Sequence, residues 1–375
     1  MVFYAILACT PLLVALAVKL YYQCPINESK RAKRAFLIFS GLILWFFIAF
    51  RDKGVGSTDS LSYFTNWENM AFRNFEGLKD NILRSRMEPV YLCTVWVLAK
   101  IFPDPQSVFV ISGMLFMISV CLFIYRNSDD VVISFIMFIT WGLYAFMVQG
   151  LRQAVAMSIC LFAIESVKKR KPIRFFFLIA LAVCYHRSAI LFALVYFIPW
   201  RKLSLVNKLQ MLVSALTLFL CANFILEVGR VITKVTYDVT KDDGGFVALS
   251  LYVITIIFAF LFLQHSKPAD TDSGYKVISM LTEEERRKET LFVAMVLIGL
   301  TFYLMRYTAD VIMERMSFFF MFGQMIVLPM AIKRFSKSSR SIINSSLVIL
   351  SIILFLYRLS TSDLIPYELY FLTGV

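Results

Sequence analysis

An all-α, polytopic bundle embedded in a membrane is the fold this sequence predicts, and three observations predict it. Of the 375 residues, 59% are hydrophobic and 16% aromatic while only 17% are charged, where a soluble domain is nearer a quarter charged. Uninterrupted apolar runs recur, some of them about 20 residues long, enough at 1.5 Å per residue to cross a hydrocarbon core of roughly 30 Å. The runs are uniformly apolar rather than alternating. That suits helices, which satisfy their own backbone in lipid, and not the strands of a barrel. We expect a single transmembrane domain over residues 1–375 with about 12 to 14 apolar segments on a sliding-window reading, one of them re-entrant or surface-lying.

The net charge of +13 does not point to nucleic acid, because of where the charge lies. Four short patches, Lys30–Arg34, Lys168–Arg174, Arg201–Lys202 and Lys333–Arg340, hold 15 Lys and Arg with no acid among them. Each borders an apolar segment, as the positive-inside rule expects of cytoplasmic loops. Basicity is a topology signal here, and no nucleic-acid partner is expected. Seven cysteines (Cys9, Cys24, Cys93, Cys121, Cys160, Cys184 and Cys221) are scattered without CxxC or metal-like spacing. Most lie in apolar runs and read as small buried hydrophobes. Val2–Leu20 has neither a charged n-region nor a small-residue cleavage site, so it reads as a span.

With Lys30–Arg34 inside, residues 35–50 cross outward and deliver Arg51 to the external face. Residues 51–91 form an external loop that opens RDKGVGSTDSLSYFTNW and closes RSRMEPVY. Thr58 or Asp59 can cap a helix beginning at Ser60. Tyr63, Trp67, Met70, Ala71, Leu78 and Ile82 then recur at helical spacing, an amphipathic pattern suited to the interface, with Gly77 a point where it can split. Between the patches at 30–34 and 168–174 lie five apolar segments: 35–50, 89–102, 106–125, 131–148 and 152–167. Two cytoplasmic patches require an even number of full crossings, so one segment only dips in. Residues 89–102 are the shortest, begin with Pro89, carry Lys100 and run into the turn PDPQ. They are expected to be the partial segment, which puts Asp104 outside.

Beyond residue 174 the alternation is regular. Residues 174–185 go out to a tight turn at His186–Arg187, 188–200 return, and 205–226 go out to an external loop broken by Gly244–Gly245. Residues 246–264 return to a cytoplasmic loop at 265–290, 291–305 go out, 316–332 return and 342–357 finish outside. The end of the cytoplasmic loop reads as helical, with Glu283/Arg287 and Glu284/Lys288 as i,i+4 pairs on a solvated face.

This topology gathers the unusual polar groups on the outer face: Arg51, Asp59, Glu88, Arg152–Gln153, His186–Arg187, Arg306, Asp310, Glu314–Arg315 and Asp363. Arg152, in QGLRQAVAM between two apolar runs, is the most informative. An Arg near the bilayer centre costs on the order of 3 kcal/mol, less near the interface. It either snorkels to the headgroups or meets a partner, and an anionic ligand is one such partner. His186 stands at the tip of a hairpin, where it is either a satisfied interface residue or an acid–base catalyst. Asp59 is either a helix cap or a catalytic carboxylate. Glu88 precedes Pro89 at a helix start, where a carboxylate also suits the dipole. No HExxH, GxxxxGK[ST] or GxSxG is present, which disfavours metalloprotease, ATP-driven pump and serine hydrolase. A secondary transporter would place its charges at mid-membrane in repeated halves, whereas here they collect on one face.

Four strings in order carry a likeness. Arg51-x-x-Gly54-Val55-Gly56-x-Thr58-Asp59-x-x-x-Tyr63, Glu88-Pro89-x-Tyr91, Leu151-Arg152-Gln153-x-x-Ala156 and Tyr185-His186-x-Ser188-Ala189 resemble the EpsG-like branch of Wzy-type bacterial polysaccharide polymerases. Arg315 followed by aromatics and a final Pro366-Tyr367 also fit. Ser57 between Gly56 and Thr58 departs from a family pattern that reads Gly-Thr-Asp directly. The Asp in a first external loop ahead of a Pro-x-Tyr helix start also looks like GT-C glycosyltransferases, which suggests a GT-C-like architecture.

The resemblance implies a metal-independent glycosyltransferase at the outer face of a bacterial cytoplasmic membrane, with no cofactor, making O-antigen, capsule or exopolysaccharide. Its donor would be the growing glycan on undecaprenyl pyrophosphate and its acceptor a single lipid-linked oligosaccharide repeat. Arg152, then Arg315 and Arg51, would hold the leaving pyrophosphate by bidentate contacts. Asp59, then His186 and Glu88, would activate the acceptor hydroxyl. Gln153, Tyr63 and Tyr91 would bind sugar, and apolar grooves lined by Phe would hold the polyprenyl tail. A chain-length regulator and a flippase are implied partners. Two other readings remain: a flippase or exporter of lipid-linked glycan, and a membrane acyltransferase using His186 as base.

Overall fold

The computed structural model describes residues 2–85, 87–198, 205–221, 223–224, 227–228, 245–263, 267–268, 278–279, 282–308, 312–360 and 367–371. Among these the chain is helical apart from one two-residue antiparallel pairing of Lys267–Pro268 with Ile278–Ser279. In order the helices are α1 (Val2–Tyr22), α2 (Lys30–Ala49), α3 (Ser57–Phe72), α4 (Phe75–Arg84), α5 (Pro89–Ile101), α6 (Ser107–Asn127), α7 (Val131–Thr140), α8 (Leu143–Gln149), α9 (Leu151–Lys168) and α10 (Pro172–Val183). A 3₁₀ segment, Arg187–Phe197, follows, and then α11 (Leu205–Leu220), α12 (Phe246–Phe262), α13 (Glu283–Thr308), α14 (Ile312–Ile332) and α15 (Lys337–Leu359). Among the described residues, six helices are long and apolar enough to cross a membrane, a seventh if α7 and α8 make one bent span, and five apolar helices are shorter. The protein is a multi-pass helical membrane protein. Two compact units divide the chain, Met1–Ala193 with Val348–Val375, and Leu194–Leu347.

In the first unit α9 is the central rod, buried along almost its whole length. Helices α2 and α6 pack closely because glycines face the partner helix. A Cβ on Gly41 would lie 2.8 Å from Cys121 Sγ, and one on Gly113 2.6 Å from Ile48 Cγ2. Ser29 caps α2 by accepting from the Ala32 N–H at 3.3 Å, and Asp130 caps α7 through the N–H groups of Val132 and Ile133.

Several boundaries differ from the sequence expectation, each for a local reason. The run 131–148 is not one segment: it bends by 46° between α7 and α8. Gly142 sits there at φ +102, and its would-be Cβ lies 3.1 Å from Arg358 Nη1. The same guanidinium donates to the Trp141 carbonyl at 3.3 Å, and Trp141 Nε1 donates to Ser351 Oγ at 3.0 Å. A polar latch from α15 therefore holds the break. Helix α5 has 13 residues, about 20 Å at 1.5 Å per residue, too short for a full crossing. Helix α10, expected as a crossing over 174–185, is shorter still at 12 residues, so at least three segments of the first unit depart from simple spans, where the parity argument called for one.

Helix α3 starts at Ser57, not Ser60, with Gly56 rather than Thr58 or Asp59 at the cap. The split expected at Gly77 falls earlier, because Asn74 caps α4 by accepting from the Gly77 N–H at 2.9 Å. The apolar stripe of Tyr63, Trp67, Met70 and Leu78 is buried in protein rather than laid on the membrane surface. Trp67 Nε1 donates to the Phe102 carbonyl at 2.9 Å, Trp96 Nε1 to the Arg73 carbonyl at 2.9 Å, and Lys100 Nζ to the Ala71 carbonyl at 2.7 Å. These bonds bolt α3 and the turn after it onto α5.

In the second unit α13 and α14 form the buried pair. A Cβ on Gly299 would meet Tyr252 Oη at 2.9 Å and one on Gly323 the Phe292 carbonyl at 3.0 Å, so both glycines permit close backbone approach. The i,i+4 pair of Arg287 with Glu283 forms at 2.6 Å on an exposed turn. Arg201–Lys202, most of the loops at 227–245 and 265–290, His265, Asp310, Asp363 and Pro366 lie outside the described residues.

Candidate active site

Helix α5 begins at Pro89, which leaves Glu88 in extended backbone at the cap, its side chain making no capping bond. Its carboxylate therefore points at neighbouring elements. Oε2 accepts from Arg152 Nη1 at 2.5 Å, Oε1 accepts from the Arg187 N–H at 3.2 Å, and His186 Nδ1 stands 3.9 Å from the same Oε1. Glu88 is 6% exposed, so it is the buried hub of the cluster. The Arg152 and His186 side chains are more open, at 22% and 27%.

Arg152 reaches this hub because α8 and α9 are separate helices. Gly150 joins them, and a Cβ there would lie 2.6 Å from the Phe146 ring, so a larger residue would push the joint apart. The joint sets Arg152 in the first turn of α9, 5.7 Å from the Tyr91 ring centre and near enough to Tyr63 for its charge to act on that phenol. Burial pushes the Tyr63 phenol above its ordinary range while the Arg152 charge pulls it back, with a net rise. Tyr63 is a protonated phenol at neutral pH. Arg152 Nε and Ser188 Oγ are buried with no protein hydrogen-bond partner among the described residues.

Asp59 sits in the first turn of α3, one turn before Tyr63 on the same face, and its charge is felt at that phenol. It is a helical residue at the margin of the cluster and not the cap. Gln153 is buried at 3% exposure within the packing of α9. Tyr91 is also buried, its ring 6.4 Å from Tyr63 and its hydroxyl beside the Asn66 amide, which approaches it without completing a well-formed hydrogen bond. Tyr185, at the mouth of the hairpin carrying His186, shares a hydrogen bond of 2.9 Å with Thr94 of α5. Asn66 and Thr94 are not singled out by the sequence, and Tyr185 enters there only as part of the string around His186, with no role.

Arg51 is placed differently from the expectation that it binds pyrophosphate. It is fully buried. Nη1 donates to the Ile48 carbonyl at 3.3 Å, and Nη2 donates to Ser60 Oγ at 3.2 Å and to the Val148 carbonyl at 2.9 Å. The guanidinium lies 3.9 Å from the Phe109 ring centre, and the Arg51 backbone bridges to Leu369. Its terminal nitrogens are spent on the end of α2, the start of α3 and the end of α8, while Nε is buried without a hydrogen-bond partner among the described residues. Gly56, at φ +98, lies against the same Val148 carbonyl, 2.8 Å from a would-be Cβ. Arg51 belongs to the scaffold.

Arg315 is exposed in the first turn of α14, in the second unit. There Arg306 pairs with Glu314, donates to Tyr303 Oη at 3.1 Å and faces the Tyr303 and Tyr307 rings, while Tyr303 donates to the Gly245 carbonyl at 2.7 Å. A buried pair of Arg334 with Glu289 joins α14 to α13. Glu289 was not singled out from sequence, although an acid flush against an apolar run is such a signal. Among the described residues no three side chains of metal-ligating type come together.

The profile of the EpsG family matches residues 34–369 of this chain. No curated protein and no solved structure matches it.

Proposed function

The chain belongs to the EpsG family, and from that premise we propose that it is a membrane glycosyltransferase polymerising oligosaccharide repeats carried on undecaprenyl pyrophosphate. The polymerisation takes place at the outer face of a bacterial cytoplasmic membrane. The observation that carries the reading is the convergence of Arg152, Glu88, Tyr63 and His186 from four separate elements of one unit. A cluster with a half-open guanidinium, a buried orienting carboxylate and a protonated phenol suits a leaving group that gains negative charge.

In the proposed step an acceptor sugar hydroxyl attacks the anomeric carbon of the donor. The new C–O bond forms as the bond from that carbon to the pyrophosphate oxygen breaks, and undecaprenyl pyrophosphate leaves with the electron pair. The hydroxyl proton passes to the base, Asp59 first and His186 second. Arg152 supplies the cation for the departing oxygens through donors not used on Glu88. Fixed charge of this kind acts without reorganisation as the transition state forms. Glu88 holds Arg152 in place and is a positioning residue, since its oxygens are already engaged by Nη1 and the Arg187 N–H. Tyr63, at 6% exposure, lines the guanidinium from within the protein. Gln153 and Tyr91 are too buried to lead in sugar contact, and Tyr91 backs the guanidinium. Arg315 lies in the second unit and takes no part in the step as written.

Proteoliposomes holding the purified protein and short lipid-linked repeats test this reading. Polymer ladders accompanied by released undecaprenyl pyrophosphate support it. Movement of the lipid-linked repeat across the bilayer without ladders would make the protein a flippase and overturn it.

A further inference from the structure

A second place in the first unit combines apolar shape with positive charge, well away from the Glu88 cluster. Between α2 and α6 runs a groove of about 520 Å³. Its floor exists because Gly41 lets α6 approach, with Cys121 Sγ donating to the Leu37 carbonyl at 3.4 Å. Its walls are the exposed side chains of Leu42, Met114 and Ile118. From Arg34 to Trp45 along α2 it spans about 16 Å at 1.5 Å per residue, the scale of one leaflet's hydrocarbon.

The two ends of this groove differ in chemistry. Trp45 closes one end, its indole N–H donating to the Val110 carbonyl at 3.0 Å. At the other, the exposed Arg34 and Arg126 stand beside Tyr125, whose hydroxyl accepts from Arg34 Nε at 3.1 Å. That bond leaves the Arg34 terminal nitrogens as outward donors and fixes the plane of the guanidinium. Lys30, Arg31 and Lys33 precede it in the same patch. The nearby acid Asp130 is engaged by the N–H groups of Val132 and Ile133. A cationic mouth on an acyl-sized apolar slot is complementary to one kind of molecule.

We propose that this groove is a binding site for an anionic phospholipid, with one acyl chain along Gly41 and its phosphate between Arg34 and Arg126. The site is separate from the proposed catalysis and stands whether or not polymerase activity is found. A zwitterionic lipid presents the same phosphate but adds a cation to a mouth that already holds two, so the groove discriminates by net charge.

The test uses the full-length protein, delipidated in detergent and titrated with phosphatidylglycerol or chain-matched phosphatidylcholine, with retention read by native mass spectrometry. The wild type is expected to keep one phosphatidylglycerol at least about fivefold better than phosphatidylcholine, given charge-assisted phosphate contacts. Arg34→Gln with Arg126→Gln should abolish that preference. Ile118→Trp, which fills the slot and changes no charge, should lower retention of both lipids, and an unchanged circular dichroism melt checks folding of each variant. Equal retention of the two lipids by wild type, or undiminished preference in the double variant, would overturn the proposal by showing annular lipid only.

Discussion

Arg51 and Arg152 are the same residue type at the same kind of place, a helix end facing the same cluster of loops, and the structure uses them in opposite ways. Arg51 has no exposed surface and spends its terminal nitrogens on two backbone carbonyls and a serine hydroxyl. Arg152 keeps about a fifth of its side chain open and is held by a carboxylate. Carbonyls of two helix ends and a serine hydroxyl on a third helix cannot be exchanged for a ligand without taking the scaffold apart. A partly open guanidinium beside one carboxylate can take an anion as well. The difference is one of partner, not of charge, and it separates a residue that holds the fold from one with surface left for a ligand.

The comparison can be broken by experiment, beginning with the largest expected effect. Arg152→Ala should lower polymer formation by about 10² to 10³, the usual cost of one transition-state charge donor, with the melting temperature nearly unchanged. Arg51→Met should do the reverse. Loss of charge-assisted hydrogen bonds from a buried group is expected to cost about 3 kcal/mol of stability, while activity per folded molecule falls far less than in Arg152→Ala. Denaturant titration followed by activity measurement on the soluble fraction separates the two. Gly56→Ala, at a positive φ and pressed on the Val148 carbonyl, should cost about 2 kcal/mol and lower the thermal midpoint. The smallest effect is expected for Tyr63→Phe, which removes one donor from the cluster. About 1 kcal/mol for such a bond predicts a several-fold drop in turnover at constant stability.

Much of the fold was legible because lipid leaves few solutions: long uniform apolar runs become helices, and basic patches mark the segment ends. The break between α7 and α8 was not legible. Trp141 and Gly142 sit inside an apolar run, and the arginine that stabilises their bend is 217 positions away. The helical stripe of Tyr63, Trp67 and Met70 was read correctly as a face but assigned to the membrane surface, because periodicity reports burial without naming the partner. Glu88, Arg152 and His186 each stood out as charges at apolar ends, yet only the fold brings them to one carboxylate. Sequence could not separate Arg51 from Arg152, since the carbonyl that ties Arg51 down lies 97 residues on, at Val148.

The central claim is that Arg152, and not Arg51, meets the pyrophosphate. It is tested most directly by the Kd of undecaprenyl pyrophosphate for detergent-solubilised wild type, Arg152→Ala and Arg51→Lys, each with its melting temperature. Loss of a charge-assisted phosphate contact predicts at least about tenfold weaker binding in Arg152→Ala with an unchanged melt, and near-normal binding with a lowered melt in Arg51→Lys. Wild-type affinity in Arg152→Ala, or its loss in an Arg51→Lys protein that melts normally, would contradict the account.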